Sequence, residues 1–210
     1  MTPERRHWLV RHGETEGQSS IRYHGANDVP LSEVGRTQIR ALLPLLAGVR
    51  PTMIAHSPLV RAAESAQILV DGLGAADGVI SPEVLAPDDR LREISFGACE
   101  GMTRDEIDAA FPEFWADYEA GRTDAFPDGE PRPVFAERVS GAVAELAAGS
   151  WQGDALLVAH RGTVRHAIMN LTGDLEAPMS SYAVSLGSLS VLRQTPGGAW
   201  EMELHGMTGS

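Results

Sequence analysis

The chain has 210 residues, a formal net charge of −12 and a single cysteine, Cys99. This length fits one domain, spanning residues 1–210, with a full hydrophobic core. The acidic balance disfavours nucleic acid and anionic membranes as partners, and one cysteine excludes an internal disulfide or a cysteine-ligated metal. No apolar stretch has the length of a signal peptide or a membrane span, so we expect a cytoplasmic protein.

The first motif lies at residues 7–17, where a short apolar run is followed by charged residues. Residues 8–10 predict a buried strand, and Arg11, His12 and Gly13 come directly after it. A glycine at this point allows the backbone to turn and to approach a ligand closely. The end of this strand therefore has the side chains of an anion site.

The same arrangement of an apolar strand and a following histidine recurs twice. Residues 53–55 lead through His56 into a helix with Arg61 in its first turn, and residues 155–159 lead into His160. Parallel strands present their carboxyl ends along one edge of a sheet, where ligands bind. The side chains expected to meet there on one phosphate-sized anion are Arg11, His12, Arg61 and His160.

The segments between these motifs predict helices. Ser32 is a candidate N-cap for a helix through about Leu46, which Pro44 bends or ends early. Residues 60–70 predict a second helix, which we expect the glycines of Asp71–Gly74 to stop.

The second half of the chain continues the alternation. We expect a short strand and loop at Pro82–Leu91, a capping box at Thr103 and Glu106, and an amphipathic helix at Phe135–Leu146. The last elements are a helix at Thr163–Leu171, ended by Gly173, and two antiparallel strands around the turn at Thr195–Gly198. The pattern predicts an α/β fold, a three-layer α/β/α sandwich with a mostly parallel sheet.

The segment Phe111–Pro133 is irregular and rich in aromatic residues. Two interpretations are possible. The segment is either a lid or wall beside the site, or a packed satellite cluster, which is the more common role. The sequence does not indicate whether the segment moves.

Four blocks, in this order, resemble the histidine phosphatase superfamily, also called the phosphoglycerate mutase-like family. They are LVRHGET (9–15), SPLVRAAESA (57–66), LREISFGACEG (91–101) and LLVAHRG (156–162), and HGANDVPLSEVGRTQ (24–38) matches the stretch after the first block. The resemblance covers most of the chain and implies the phosphoglycerate mutase-like fold.

The residues at the strand ends are suited to phosphoryl transfer. Arg11 and Arg61 each offer a fork of N–H donors to phosphoryl oxygens, and His160 adds a donor if it is protonated. Neutral His12 can attack phosphorus in line and form a phosphohistidine, provided that its other ring nitrogen donates to a backbone carbonyl. Since the arginines neutralise the phosphate charge, we expect no metal and no cofactor.

The resemblance implies further roles. Glu93 corresponds to the family's proton donor, and Gln18, Arg22, Tyr23 and Gly162 are candidate substrate contacts. The chain departs from the family at Gln18, where asparagine is common, at Arg161, where a glycine is usual, and at Pro131, which replaces a serine. We leave open whether Gln18 contacts phosphate and whether Arg161 adds charge to the mouth of the site or points to solvent.

The resemblance favours a phosphatase over a mutase, because Glu93 is followed by Ile94, Ser95 and Phe96 rather than by the arginine, histidine and tyrosine of the mutases. The expected substrate is a small phosphorylated metabolite such as α-ribazole phosphate or a sugar phosphate. The alternatives are a phosphoglycerate mutase and a non-catalytic module that binds phosphorylated ligands. Whether the protein is a homodimer stays open.

Four other histidines have a structural interpretation. We expect them to satisfy local structure or to face solvent, since no two of them have the one-turn helical spacing of a metal-ligand pair. They are His24, His56, His166 and His205.

Overall fold

The computed structural model describes residues 5–18, 20–77, 85–149 and 153–209. The strands are β1 (Arg6–Arg11), β2 (Pro51–His56), β3 (Leu85–Pro87), β4 (Asp154–Ala159), β5 (Ser188–Gln194) and β6 (Trp200–Thr208). They form one six-stranded sheet in the order β3-β2-β4-β1-β5-β6. The four strands β1, β2, β3 and β4 run parallel to one another, whereas β5 and β6 form an antiparallel hairpin that pairs with β1 through β5. This confirms the predicted mostly parallel sheet.

The helices cover both faces of this sheet. They are α1 (Glu33–Arg40), α2 (Val60–Asp77), α3 (Arg104–Ala110), α4 (Phe114–Glu119), α5 (Arg132–Ala148) and α6 (Arg161–Thr172). Along β1, Trp8 and Val10 pack into the core beneath α1 and α2, while Leu9 packs into the core beneath α5 and α6. Alternate residues of a strand point to opposite faces, so this division produces the three layers that the sequence predicts.

The first two helices end at other places than expected. α1 begins after Ser32, whose side chain accepts from the Gly35 N–H, but it stops at Arg40, and Pro44 lies in a separate 3₁₀ turn. The prediction that glycines end α2 near residue 70 is wrong, because the helix continues to Asp77. Gly72 is a packing position: a Cβ atom there would lie 2.5 Å from the side chain of Leu43.

The other predicted helix boundaries are confirmed with small shifts. Thr103 and Glu106 form the capping box of α3, and Gly173, with a φ of 77°, caps α6. The strand predicted within Pro82–Leu91 appears as β3, although residues 82–84 of that prediction lie outside the described residues. Within the described ranges, no helix is both long and apolar enough to cross a membrane.

The aromatic residues of the segment 111–133 form a satellite core. Phe114 and Phe126 are buried together with Cys99 and Ile107. Tyr23 joins this core from the loop after β1, with ring contacts to Phe96, Trp115 and Phe126. The segment therefore packs against Tyr23 and Phe96 as a satellite cluster, which is one of the two interpretations of the sequence.

Candidate active site

The three strand ends named in the sequence meet at one edge of the sheet. β4 lies between β1 and β2, so the residues that follow all three strands are neighbours. The His12 backbone N–H donates to the carbonyl of Ala159 at 3.0 Å, and the rings of His12 and His160 lie 5.1 Å apart, centroid to centroid. Arg61 follows in the first turn of α2. The structure thus places these residues together at one edge of the sheet, and their roles stay predictions.

A cavity of about 520 Å³ opens at this edge. We call Arg11, His12, Arg61 and His160 the floor; the first three line the cavity, and the fully buried His160 lies behind His12. We call the outer lining the mouth, which comprises Ile21, Arg22, Tyr23, Phe96, Arg104, Asp105 and Arg161.

The ring of His12 is held in the orientation that a nucleophile needs. Its Nδ1 lies 2.7 Å from the carbonyl oxygen of Gly13. A carbonyl only accepts, so Nδ1 carries the proton and Nε2 of the neutral ring keeps its lone pair. Burial, followed by the charges of Arg61 and Arg11, holds the pKa of His12 well below its usual value. The ring is therefore neutral at pH 7.

The two floor arginines are buried, and their side chains donate to backbone carbonyls. Arg11 is 6% exposed and Arg61 is 2% exposed. Arg11 donates to the Val184 carbonyl at 2.9 Å, and Arg61 donates to backbone carbonyls of the loop after β1 at 2.7 and 2.6 Å. Among the described residues, no carboxylate forms an ion pair with either guanidinium. Burying an unpaired charge is costly, so this arrangement favours an anionic ligand.

The lowered pKa of Arg11 also favours an anionic ligand. Its pKa is lowered to about 9, first by burial and then by the charge of Arg161, while Glu93 opposes the shift. A phosphate dianion placed between Arg11 and Arg61 would supply the charge that the protein itself does not.

His160 closes the floor from behind. It is fully buried, and neither ring nitrogen has a hydrogen-bond partner among the described residues. Burial, then Arg61 and His12, hold its pKa well below the usual value, so the ring is neutral in the free protein at pH 7. The expected donor is therefore the single N–H of a neutral ring, because the protonated form is not populated there.

The carboxylate of Glu93 is fixed at the edge of the floor. Its Oε2 accepts from the backbone N–H of Gly162 at 3.1 Å, and its Oε1 accepts from Ile94 N–H at 3.1 Å. A Cβ atom on Gly162 would lie 2.5 Å from Oε1. Gly162, predicted as a substrate contact, thus donates to Glu93 and is not among the residues that line the cavity.

Arg138 on α5 holds the backbone that carries Glu93. Its guanidinium donates to the carbonyls of Arg90, Arg92 and Glu93 at 2.7, 2.8 and 3.2 Å, and it forms an ion pair with Glu130. Sequence reasoning missed this residue, because an arginine on an amphipathic helix has no feature that distinguishes it from a surface charge.

The other predicted substrate contacts differ in whether they line the cavity. Arg22 and Tyr23 line the mouth, although Arg22 also donates to the Gly101 carbonyl and pairs with Glu106 at 2.8 Å. Gln18 is exposed and does not line the cavity. Its backbone carbonyl accepts from the backbone N–H groups of Ile21 and Arg22. Direct contact of these side chains with substrate stays a prediction.

His24 has a position that its structural interpretation did not include. It lines the cavity, is only 9% exposed and has no partner for Nε2 among the described residues. Burial and the charge of Arg61 lower its pKa, and a hydrogen bond with the Gly17 backbone opposes the shift. By contrast, His56 and His205 hydrogen-bond to neighbouring groups as expected.

Comparisons with known proteins agree with this site. The family model described as "Histidine phosphatase superfamily (branch 1)" matches residues 7–208. The chain is 35% identical over 168 residues to glucosyl-3-phosphoglycerate phosphatase of Mycobacterium tuberculosis, covering 76% of this chain and 72% of that protein. It is 29% identical over 186 residues to adenosylcobalamin/α-ribazole phosphatase of Salmonella typhimurium, covering 88% of each chain.

Solved structures show the same fold. A mycobacterial glucosyl-3-phosphoglycerate phosphatase superposes with a TM-score of 0.77 and 30% identity, over 97% of this chain and 99% of that one. The match of the family model spans nearly the whole sequence and includes every residue of the floor. The chain therefore belongs to branch 1 of the histidine phosphatase superfamily.

Proposed function

We propose that this protein hydrolyses small phosphate monoesters through a phosphohistidine on Nε2 of His12. One observation carries the proposal: a neutral imidazole, with its Nε2 lone pair free, lies beside two buried guanidiniums that form no ion pair within the described part of the chain. Those guanidiniums neutralise the ester's charge, which otherwise repels a nucleophile. Relatives named as phosphatases support the same reaction.

In the first step Nε2 of His12 attacks phosphorus, opposite the ester oxygen. N–H groups of Arg11 and Arg61 donate to the non-bridging oxygens, where charge is concentrated in the transition state. The bond between phosphorus and the ester oxygen breaks, and the protonated carboxyl of Glu93 gives its proton to that oxygen. The alcohol leaves, and the phosphoryl group stays on His12.

In the second step water replaces the alcohol. The carboxylate of Glu93 takes a proton from the water as its oxygen attacks phosphorus, and the bond from phosphorus to Nε2 breaks. Inorganic phosphate leaves and the neutral imidazole is restored. Glu93 suits both tasks because two backbone N–H groups hold its carboxylate beside the floor.

We propose a small phosphorylated metabolite as substrate. The cavity of about 520 Å³ has the size of a small-molecule site. Two relatives are named for glucosyl-3-phosphoglycerate and α-ribazole phosphate, so these two esters are the first to assay.

The test is release of p-nitrophenol from p-nitrophenyl phosphate in the presence of EDTA. We expect chelator-resistant turnover, an acid-labile phosphoenzyme after rapid quenching, and loss of both in His12→Ala. Phosphate binding without turnover would instead identify a binding module, and conversion of 3-phosphoglycerate to its 2-isomer would identify a mutase. Either result would overturn the proposal.

A further inference from the structure

Among the described residues, the arginines that line the cavity have identifiable partners or tasks, with the exception of Arg161. The floor arginines are placed for the phosphate. In the mouth, Arg22 pairs with Glu106, and Arg104 pairs with Asp108 at 3.4 Å and stacks on Trp115. Arg161 also lines the cavity, but among the described residues it has no hydrogen bond or ion pair.

Arg161 lies close to the phosphate position. It directly follows His160 as the first residue of α6, and after burial its charge is the next largest cause of the lowered pKa of Arg11. The neighbouring Arg165 has another task, since its Nε donates to the Tyr182 carbonyl at 2.8 Å and it does not line the cavity. The positive charge beyond the floor is therefore concentrated at Arg161.

The stability of α6 does not explain this arginine. The N-terminus of a helix carries partial positive charge, so a cation in the first turn is unfavourable and an anion is favourable. The backbone N–H of Gly162 is already used by Glu93. A residue that opposes its local electrostatics without a partner in the fold is a candidate for a functional role.

We propose that Arg161 binds a carboxylate carried by the substrate within a few bonds of its phosphate group. The proposal rests on the proposed function, and it narrows the substrate class to phosphorylated hydroxy acids. A guanidinium can donate two parallel hydrogen bonds to a carboxylate. The floor arginines are placed for the phosphate, so Arg161 is available for the carboxylate. The name of one relative, glucosyl-3-phosphoglycerate phosphatase, fits this class.

The experiment compares 3-phosphoglycerate with glycerol 3-phosphate, which has a hydroxymethyl group in place of the carboxylate. In Arg161→Gln we expect kcat/KM for 3-phosphoglycerate to fall roughly 10- to 100-fold, the effect of one lost charged contact. For glycerol 3-phosphate we expect a change within about twofold, because this ester has no group for Arg161 to bind.

Arg104→Gln is the matched control, since it removes a mouth arginine that already has partners. It should affect the two esters equally. The melting temperature of Arg161→Gln should equal or exceed that of the wild type, because the unfavourable helix charge is gone. A lower melting temperature would indicate a structural role and overturn the proposal.

Binding separates this proposal from the proposed function. In the His12→Ala background neither ester turns over, and calorimetry should give a Kd for 3-phosphoglycerate that Arg161→Gln raises while the Kd for glycerol 3-phosphate stays constant. Equal effects on both esters, or none, would overturn the role of Arg161 and leave the phosphatase intact. If the wild type turns over neither ester but Arg161→Gln still raises only the Kd for 3-phosphoglycerate, the phosphatase proposal is refuted and the role of Arg161 is not.

Discussion

The floor and the mouth of the cavity are built from different parts of the fold. The floor follows three adjacent strands, its side chains are buried, and backbone carbonyls hold both His12 and Arg61. The mouth comes from the loop after β1 and the starts of helices, and its Ile21 is 56% exposed. In the proposed mechanism the residues at the strand ends act on phosphorus, and we expect the loops and helix ends to select the alcohol.

Removing the nucleophile should have the largest effect. We expect His12→Ala to lower kcat for every ester by about 10⁴-fold or more, since His12 is the nucleophile that carries the phosphoryl group in the proposed mechanism. Calorimetric binding of inorganic phosphate should persist, because both arginines remain. His56→Ala is the control: His56 has the same bond from Nδ1 to a carbonyl, at 2.8 Å, but does not line the cavity. An active His12→Ala enzyme would refute the division between floor and mouth.

Glu93→Gln should lower turnover by roughly 100-fold on alkyl phosphates, the usual size for a general acid. The loss should be smaller with p-nitrophenyl phosphate, whose leaving group needs no proton. A series of esters with leaving groups of increasing basicity measures this dependence. Near-normal hydrolysis of an alkyl phosphate by the variant would reject the assigned role.

Gly162→Ala tests whether the position of the Glu93 carboxylate matters. The added Cβ would displace Oε1, and misplacement by about 1 Å can lower the rate by about 100-fold. We expect the same dependence on the leaving group as in Glu93→Gln. Gly141→Ala on α5 is the control, because nothing lies within 4 Å of its new Cβ. If Gly162→Ala lowers the rates of all esters equally, the displacement acts on the floor and not through Glu93.

The buried histidines should make stability depend on pH. Burial lowers the pKa of His7 to about 3, and the pKa values of His12 and His160 are also lowered. The unfolded chain takes up protons near pH 6.5 and the folded chain does not, so stability present above pH 6.5 is lost as the pH falls. We expect a loss of up to about 1.4 kcal/mol per pH unit for each histidine.

Urea denaturation at pH 7.5, 6.0 and 5.0 measures this effect. His160→Asn removes one titrating group, so the variant should show a shallower decline with falling pH than the wild type. An unchanged slope would mean that the His160 ring is not kept neutral by the floor. The pKa of His12 lies well below its usual value, so wild-type activity should show no loss from protonation of the nucleophile near pH 6.5.

The floor could be predicted from the sequence more completely than the mouth. A strand followed by histidine is a local pattern, and topology alone brings three such ends together, so the meeting of Arg11, Arg61 and His160 was predictable. Arg138 was not, because its role depends on contacts with residues more than 40 positions away. The extension of α2 past Gly72 has the same origin, since packing against Leu43 overrides the low helix propensity of glycine.

The sheet order also has a consequence for biosynthesis. β1 and β2 are separated by β4, so the first 153 residues contain both outer strands of the site but not the strand that joins them. A nascent or truncated chain that ends before Asp154 has a gap in the middle of its sheet and cannot assemble a working catalyst. The floor should therefore be able to assemble only after β4 and His160 have been synthesised.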